Sequence, residues 1–217
     1  MKEELKIKVN ELKKNNIIDS AEKVFSKFGI DNTTMDEISK EVGISKRTVY
    51  LYFTSKTAIF NAILFRANKR MYEYFSEEVQ KDGFSSYEIK EKIRVFWDTL
   101  KKFKIEQNLY FKVISMYENQ KSDMDSKDEY LEKGYEWSEK IYSIIKESIL
   151  QSDAGFIKQN NIDETVLILW MTSISVLNTV DIKKIYLQDF FNINIEAFFE
   201  TFFEYIVYPL INHEKEL

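Results

Sequence analysis

The chain has no cysteine, one proline, one histidine and five glycines among its 217 residues. Without thiols it can build no disulfide, no thiolate metal site and no cysteine nucleophile. The one histidine, His213, lies in a charged C-terminal tail, so neither a Ser-His-Asp arrangement nor a histidine metal cluster can be assembled. The glycine patterns G-x-G-x-x-G and G-x-x-x-x-G-K-[ST], which cradle phosphates, are also missing. Carboxylates abound but read as solvated helix faces. An enzyme therefore finds no support, and no cofactor or metal is expected. Scarcity of glycine and proline excludes a sheet-rich fold, because tight turns use both. The abundance of Lys, Glu, Ile and Leu favours helix. The expectation is an all-α chain joined by short polar loops, long enough to bury a sizeable core. Met1–Leu12 is charged and lacks the continuous apolar core of a signal peptide. The longest apolar stretches, near Val166–Met171 and Ile195–Leu210, read as too short or too interrupted to span a bilayer. A cytoplasmic location with no membrane partner is expected.

Charge is unevenly placed. The net charge is −5, which alone argues against a nucleic-acid binder. Residues 1–66, however, hold 12 basic against 9 acidic residues, a balance of +3, while residues 67–217 hold 19 against 27, a balance of −8. Between Glu41 and Glu73 no acidic residue occurs, yet Lys46, Arg47, Lys56, Arg66, Lys69 and Arg70 do. A basic window inside an acidic chain is the footprint expected for phosphate. The alternative is a solvated basic face.

The same window carries a recognisable helical punctuation. Apolar residues from Leu12 to Phe28 recur at spacings of three and four, which predicts a helix over about Lys8–Phe28 with Gly29 as its cap. Thr34 and Glu37 form a capping-box pair opening a short second helix. Gly43 permits a sharp turn, Ile44 plugs it, and Ser45 can cap a third helix that runs to about Phe53. Val49 and Phe53 would bury, leaving Lys46, Arg47, Thr48, Tyr50 and Tyr52 largely on the other side. Thr54 or Ser55 would cap a fourth helix carrying Lys56 in its first turn. A short helix, a glycine turn and a second short helix form the motif whose second helix enters the DNA major groove. Cations at a helix N-terminus cost helix stability, which is reasonable where an anion is the partner.

At this point the segment Thr33–Phe60, TTMDEISKEVGISKRTVYLYFTSKTAIF, resembles the TetR family of bacterial transcriptional regulators. The resemblance rests on Thr33/Thr34, Ile38, Gly43, Thr48, Tyr50 to Phe53 and Ser55-Lys56, and it covers about residues 11–71. It implies a three-helix DNA-binding domain, residues 1–56, and a helical effector-binding and dimerisation domain, residues 57–217. It implies a homodimer on a palindromic double-stranded operator. Carried over by position, Ser45 caps the recognition helix, and Lys46, Arg47 and Thr48 would face bases or adjacent phosphates. Tyr50 would bond a phosphate, and Thr34 and Lys56 would clamp flanking phosphates. The position before Phe53 is often His in the family and is Tyr52 here, which weakens the contact expected there.

Beyond residue 71 the sequence reads as five or so helices, with Gln120–Asp128 as the clearest loop and interruptions at Gly155 and Asn160–Asn161. Val166–Leu177 and Ile195–Leu210 are apolar almost all round, so each should be buried on every face. The resemblance implies that these last two helices pair with their twins in an isologous two-fold contact; the alternative is simple core. Pro209 should kink or terminate the last helix. Trp97, Tyr110, Phe111, Tyr117, Trp137 and Trp170 are the candidate ligand-pocket aromatics, though any one of them taken singly reads first as ordinary core; Asn178 is either a polar anchor or a capped or exposed amide. An apolar or aromatic small-molecule effector would suit such a cavity. The reading is a ligand-responsive repressor released from its operator by that effector. The alternative is a DNA-binding or coactivator protein on the same scaffold without ligand control.

Overall fold

The computed structural model describes residues 2–118, 128–152 and 161–211, with side chains to Val207. The expected loop at Gln120–Asp128, apart from Asp128 itself, and the interruption at Gly155 and Asn160 lie outside them. Among the described residues all regular structure is helical. The order is α1 (Lys2–Phe28), α2 (Met35–Val42), α3 (Lys46–Tyr52), α4 (Lys56–Val79), α5 (Ile89–Glu106), α6 (Asn108–Glu118), α7 (Glu129–Leu150), α8 (Ile162–Ile185) and α9 (Ile195–Ile211), with a 3₁₀ turn at Phe84–Ser86.

Helix α1 starts six residues earlier than apolar periodicity predicts. Its first turns are exposed and have no buried face, but Lys, Glu and Leu are strong helix formers. Burial begins at Ile17 and continues through Ile18, Ala21, Val24 and Phe25. Gly29 then ends the helix at φ 84°, a left-handed value that favours glycine.

Helix α4 joins the two halves. Its residues Ile59, Phe60 and Ile63 are buried in the same apolar cluster as Ile17, Ile18 and Phe25 of α1. Farther along, α4 packs chiefly on α7 and α6. Gly134 of α7 sits there: a Cβ on it would stand 3.7 Å from the Phe65 backbone. The boundary expected at residue 56 therefore falls at the start of a helix that both parts share.

Helix α8 is longer than the sequence suggests. It continues through a π-helical turn at Tyr186–Phe190, and the whole span Ile162–Phe190 is apolar and long enough to cross a membrane by length and composition. Only 39% of its most apolar window is buried within the chain. One side, with Val166, Leu169, Ile174, Leu177 and Val180, is buried; the other exposes Ile168, Met171, Ile182 and Ile185. The expectation that α9 is apolar all round is corrected as well. Glu200 and Glu204 form a row that pairs with Arg94 at 2.7 and 3.5 Å, and Lys90 reaches Glu204 at 2.9 Å. Spacing by four puts both acids on the face toward α5, while Phe199, Phe203 and Val207 bury on another. The helix runs to Ile211, two residues beyond Pro209.

Candidate DNA-reading helix and effector cavity

Local chemistry fixes the reading unit. The Thr34 hydroxyl accepts from the Glu37 amide at 3.3 Å, and the Thr34 amide donates to the Glu37 carboxylate at 2.7 Å, which completes the capping box. Gly43 closes α2 at φ 76°, and both its amide and that of Ile44 reach the Ser39 carbonyl, at 3.1 and 3.2 Å. Ser45 caps α3 by accepting from the Thr48 amide at 3.1 Å, and the two hydroxyls lie 2.8 Å apart. Ser55, not Thr54, caps α4. Val49 is fully buried and Phe53 nearly so. That orients Lys46, Arg47 and Tyr50 to the outside. Leu51, which the sequence reading passed over, is the most exposed apolar residue of α3, at 77%. It stands four residues after Arg47 and shares its face, a signal the spacing did contain. Tyr52 is half-buried against the core rather than turned outward.

The basic window is less open in space than in sequence. Lys46 donates to Asp36 of α2 at 2.9 Å, a bond that holds its pKa above the usual value. Lys56 Nζ donates to the carbonyls of Ile30 and Asp31 at 3.0 and 3.1 Å, so it tethers the α1–α2 connection instead of standing free for a phosphate. Arg70 is paired with Glu73 at 2.8 Å. Arg66 donates to Asn15, Asp19 and Glu22 of α1 at 3.0, 2.6 and 3.0 Å. Partial burial works against its charge, and these bonds outweigh it, so the guanidinium is held above its ordinary value. Among the described residues, Arg47 is the one member of the set Lys46, Arg47, Lys56 and Arg66 that has no hydrogen-bond partner.

A second feature lies in the helical part. Helices α4, α6, α7 and α8 enclose a cavity of about 440 Å³. Leu64, Ile114, Ile145 and Val166 give it an aliphatic floor; Tyr117, Tyr135, Tyr142 and Trp170 line its wall; Glu118 and Glu139 stand at its exposed rim. Asn68 also reaches it, with its amide donating to Ser138 Oγ at 3.0 Å. Of the seven expected pocket residues only Tyr117 and Trp170 line this space. Trp97 borders a separate void of about 40 Å³, where its buried indole nitrogen has no partner among the described residues, and Ile145, Val166 and Trp170 line both spaces. Phe111 is core. Tyr110 faces α1 and donates to Glu22 at 3.1 Å; burial first, then the Glu22 charge, push its phenol up to about 12. Trp137 packs on Tyr72 with Lys140 over its ring at 3.9 Å, and Asn178 is half-buried on α8 away from the cavity. Helix periodicity alone could not separate these positions, because each aromatic sits on a partly buried face and only the packing of four helices decides which face opens on a void.

Residues 17–63 match the family model described as bacterial regulatory proteins of the tetR family. The chain carries a TetR-family DNA-binding domain. The TetR-type segment spans the end of α1, all of α2 and α3, and the start of α4, so it coincides with the capped unit just described. The chain is 33% identical over 76 residues to the biofilm operon icaADBC negative transcriptional regulator IcaR of Staphylococcus epidermidis, covering 35% of this chain and 39% of that protein. It is 47% identical over 47 residues to the same regulator of Staphylococcus aureus, covering 22% and 25%. These matches thus span well under half the length of the relatives. In three dimensions the chain is similar to the transcriptional regulator FadR of Bacillus subtilis, solved in complex with stearoyl-CoA. The TM-score is 0.62 at 18% identity, covering 88% of this chain and 96% of that one. At that identity the likeness shows a common fold.

Proposed function

We propose that this chain is a ligand-responsive transcriptional repressor that binds a palindromic DNA operator as a homodimer. The observation that carries the reading is α3: a capped, exposed helix after a glycine turn, presenting Arg47, Tyr50 and Leu51 outward on a TetR-type scaffold. Arg47, with no hydrogen-bond partner to leave among the described residues, is the best-placed side chain for a base edge; a bidentate contact to guanine suits it. Lys46 can exchange its exposed Asp36 partner for a phosphate at little cost, since such surface pairs contribute little. Thr34, Ser45, Thr48 and Tyr50 complete the surface that would face the backbone, with Lys56 and Tyr52 supporting it from within.

The dimer reading rests on α8. Its outward stripe, Ile168, Met171, Ile182 and Ile185, continues into Tyr186, Phe190 and Phe191, all more than half exposed. Between the apolar ends lie Ser175 and Thr179, small enough for close approach of a second helix. A single apolar stripe on a helix otherwise packed on its own chain suits a two-fold copy of itself, and the paired Asp181 and the cations Lys183 and Lys184 along α8 suit a subunit better than lipid. The cavity beside α4 is the effector site in this reading. A ligand that binds better to one α4 position than another shifts the population between two spacings of the recognition helices. Arg66 and Tyr110 would carry that shift to α1.

The experiment is selection of bound DNA from a random pool, followed by affinity measurement with Arg47→Ala. The expected result is a palindromic site with half-site centres roughly 34–36 Å apart. Arg47→Ala should weaken that site by about 1–3 kcal/mol and relax one base position per half-site. Uniform weakening on all DNA, with unchanged sequence preference, would remove the base-contact role. Failure to enrich any discrete site would favour a general DNA binder on this scaffold.

A further inference from the structure

The cavity has a chemical sign. Its described lining includes two carboxylates, Glu118 and Glu139, and no Lys, Arg or His. Four aromatic side chains, Tyr117, Tyr135, Tyr142 and Trp170, share the wall with them. Aromatic faces carry the negative end of a ring quadrupole and attract organic cations, most strongly where water is displaced. The indole N–H of Trp170 donates to Glu118 at 3.2 Å, so the carboxylate and that ring act as one electronegative unit. Among the described residues no cation pairs with Glu139. Along α7, Lys140 lies 3.9 Å over Trp137 and Lys133 is 2.6 Å from Glu129, while Lys146, 2.6 Å from Asp163, also stands 5.6 Å over the ring of Tyr142.

An anion entering this space would meet two carboxylates and four aromatic rings, and no cation among the described lining residues. A polyphosphate headgroup would need several such donors. We infer that the cavity binds a lipophilic organic cation, a ring-bearing or quaternary ammonium or phosphonium ion, in place of an acyl chain with an anionic head. The aliphatic floor takes the apolar body, the aromatic wall takes the delocalised charge, and Glu118 and Glu139 neutralise it at the rim. This inference rests on the reading of the cavity as the effector site, and a volume of about 440 Å³ suits one compact ligand.

Tetraphenylphosphonium and tetraphenylborate test the sign, because they differ in charge and scarcely in shape. Binding of each to the full chain is measured by calorimetry, for the wild type and for Glu118→Gln/Glu139→Gln, with palmitoyl-CoA as a third ligand. The expected result is phosphonium binding at least about tenfold tighter than borate, and a loss of about tenfold in the double variant with borate unchanged or improved. A melting curve establishes that the double variant is folded; the single Glu139→Gln variant, which leaves the Trp170 contact intact, should show part of the same loss. Tighter binding of borate or palmitoyl-CoA overturns the ligand class and leaves the effector site standing. Binding of none of the three overturns both. Tight phosphonium binding that leaves DNA affinity unchanged upholds the ligand class and removes the effector reading.

Discussion

Arg66→Gln would measure the joint between the DNA-reading helices and the helical body. The guanidinium on α4 holds three side chains of α1, and one of them, Glu22, also accepts from Tyr110 on α6. The contacts are unequal. Asp19 is 56% exposed, so its short bond is screened and contributes a few tenths of a kcal/mol, and the Asn15 bond adds roughly as much. Glu22 is 20% exposed and Arg66 23%, so that pair is mostly out of water. Charge-assisted bonds of this kind contribute about 1.5–3 kcal/mol, and the residual exposure argues for the lower end. Glutamine preserves reach but removes the charge, leaving Glu22 without a cation beside Tyr110. The expected loss is about 2 kcal/mol, which for a chain of this size lowers Tm by about 4–8 °C. The control is Arg70→Gln, which breaks an i,i+3 pair with both partners about 40% exposed, and should cost under about 0.5 kcal/mol. Circular dichroism melts of both variants decide the matter. A shift for Arg66→Gln no larger than that for Arg70→Gln would refute the argument. With an effector in hand, the same variant should also weaken the response of DNA binding to ligand while leaving ligand affinity nearly unchanged.

Three other expectations follow from single features. Thr34→Ala removes the hydroxyl half of the α2 capping box, leaving the backbone amide's bond to Glu37, and should cost about 1 kcal/mol in urea unfolding, whereas Thr34→Ser should stay within about 0.5 kcal/mol. Tyr110 has its folded pKa raised from 10.0 to about 12, so its neutral form is favoured by the fold; its contribution to stability is complete below pH 10 and is lost as pH rises toward 12. Absorbance titration of the phenols should therefore contain a late component that Tyr110→Phe deletes. Ile182→Glu places a charge in the exposed stripe of α8 and should convert a dimer into a monomer in sedimentation, with loss of binding to two-half-site DNA; a persisting dimer would move the interface elsewhere.

What could be read from the sequence was local. Thr34, Gly43, Ser45 and Gly29 act on atoms within a few residues of themselves, so their types and spacings announce the caps and turn before any tertiary contact exists. The buried faces of α1 and α3 were legible for the same reason. Lys56 and Arg66 were not, because their partners lie 25 to 51 residues away. The acid-free window looked like a broad positive surface, yet Arg66 is held by acids of α1, Lys46 by Asp36, Lys56 by two carbonyls and Arg70 by Glu73, which leaves Arg47 without a hydrogen-bond partner among the described residues. The pocket was the least legible. Phe111 and Tyr117 lie on one helix, six residues apart, and one is core while the other lines a void. Nothing in their spacing distinguishes them; the placement of α7 and α8 does. Glu118 and Glu139 carried no signal either, since acids at helix surfaces are ordinary.

The continuity of α4 also limits how this molecule can be recombined. A cut at residue 56 would strip Ile59, Phe60 and Ile63 from beneath Ile17, Ile18 and Phe25, leaving the reading helices without their floor. A graft onto another regulator's body would have to carry α4 as far as Met71, and with it Arg66 and the cavity residues Leu64 and Asn68. In the proposed reading, operator preference and ligand preference would thus be inherited partly on one rod of backbone. A lineage can change Arg47 or Leu51 freely, but exchanging whole sensory bodies requires a donor whose own fourth helix already fits α1.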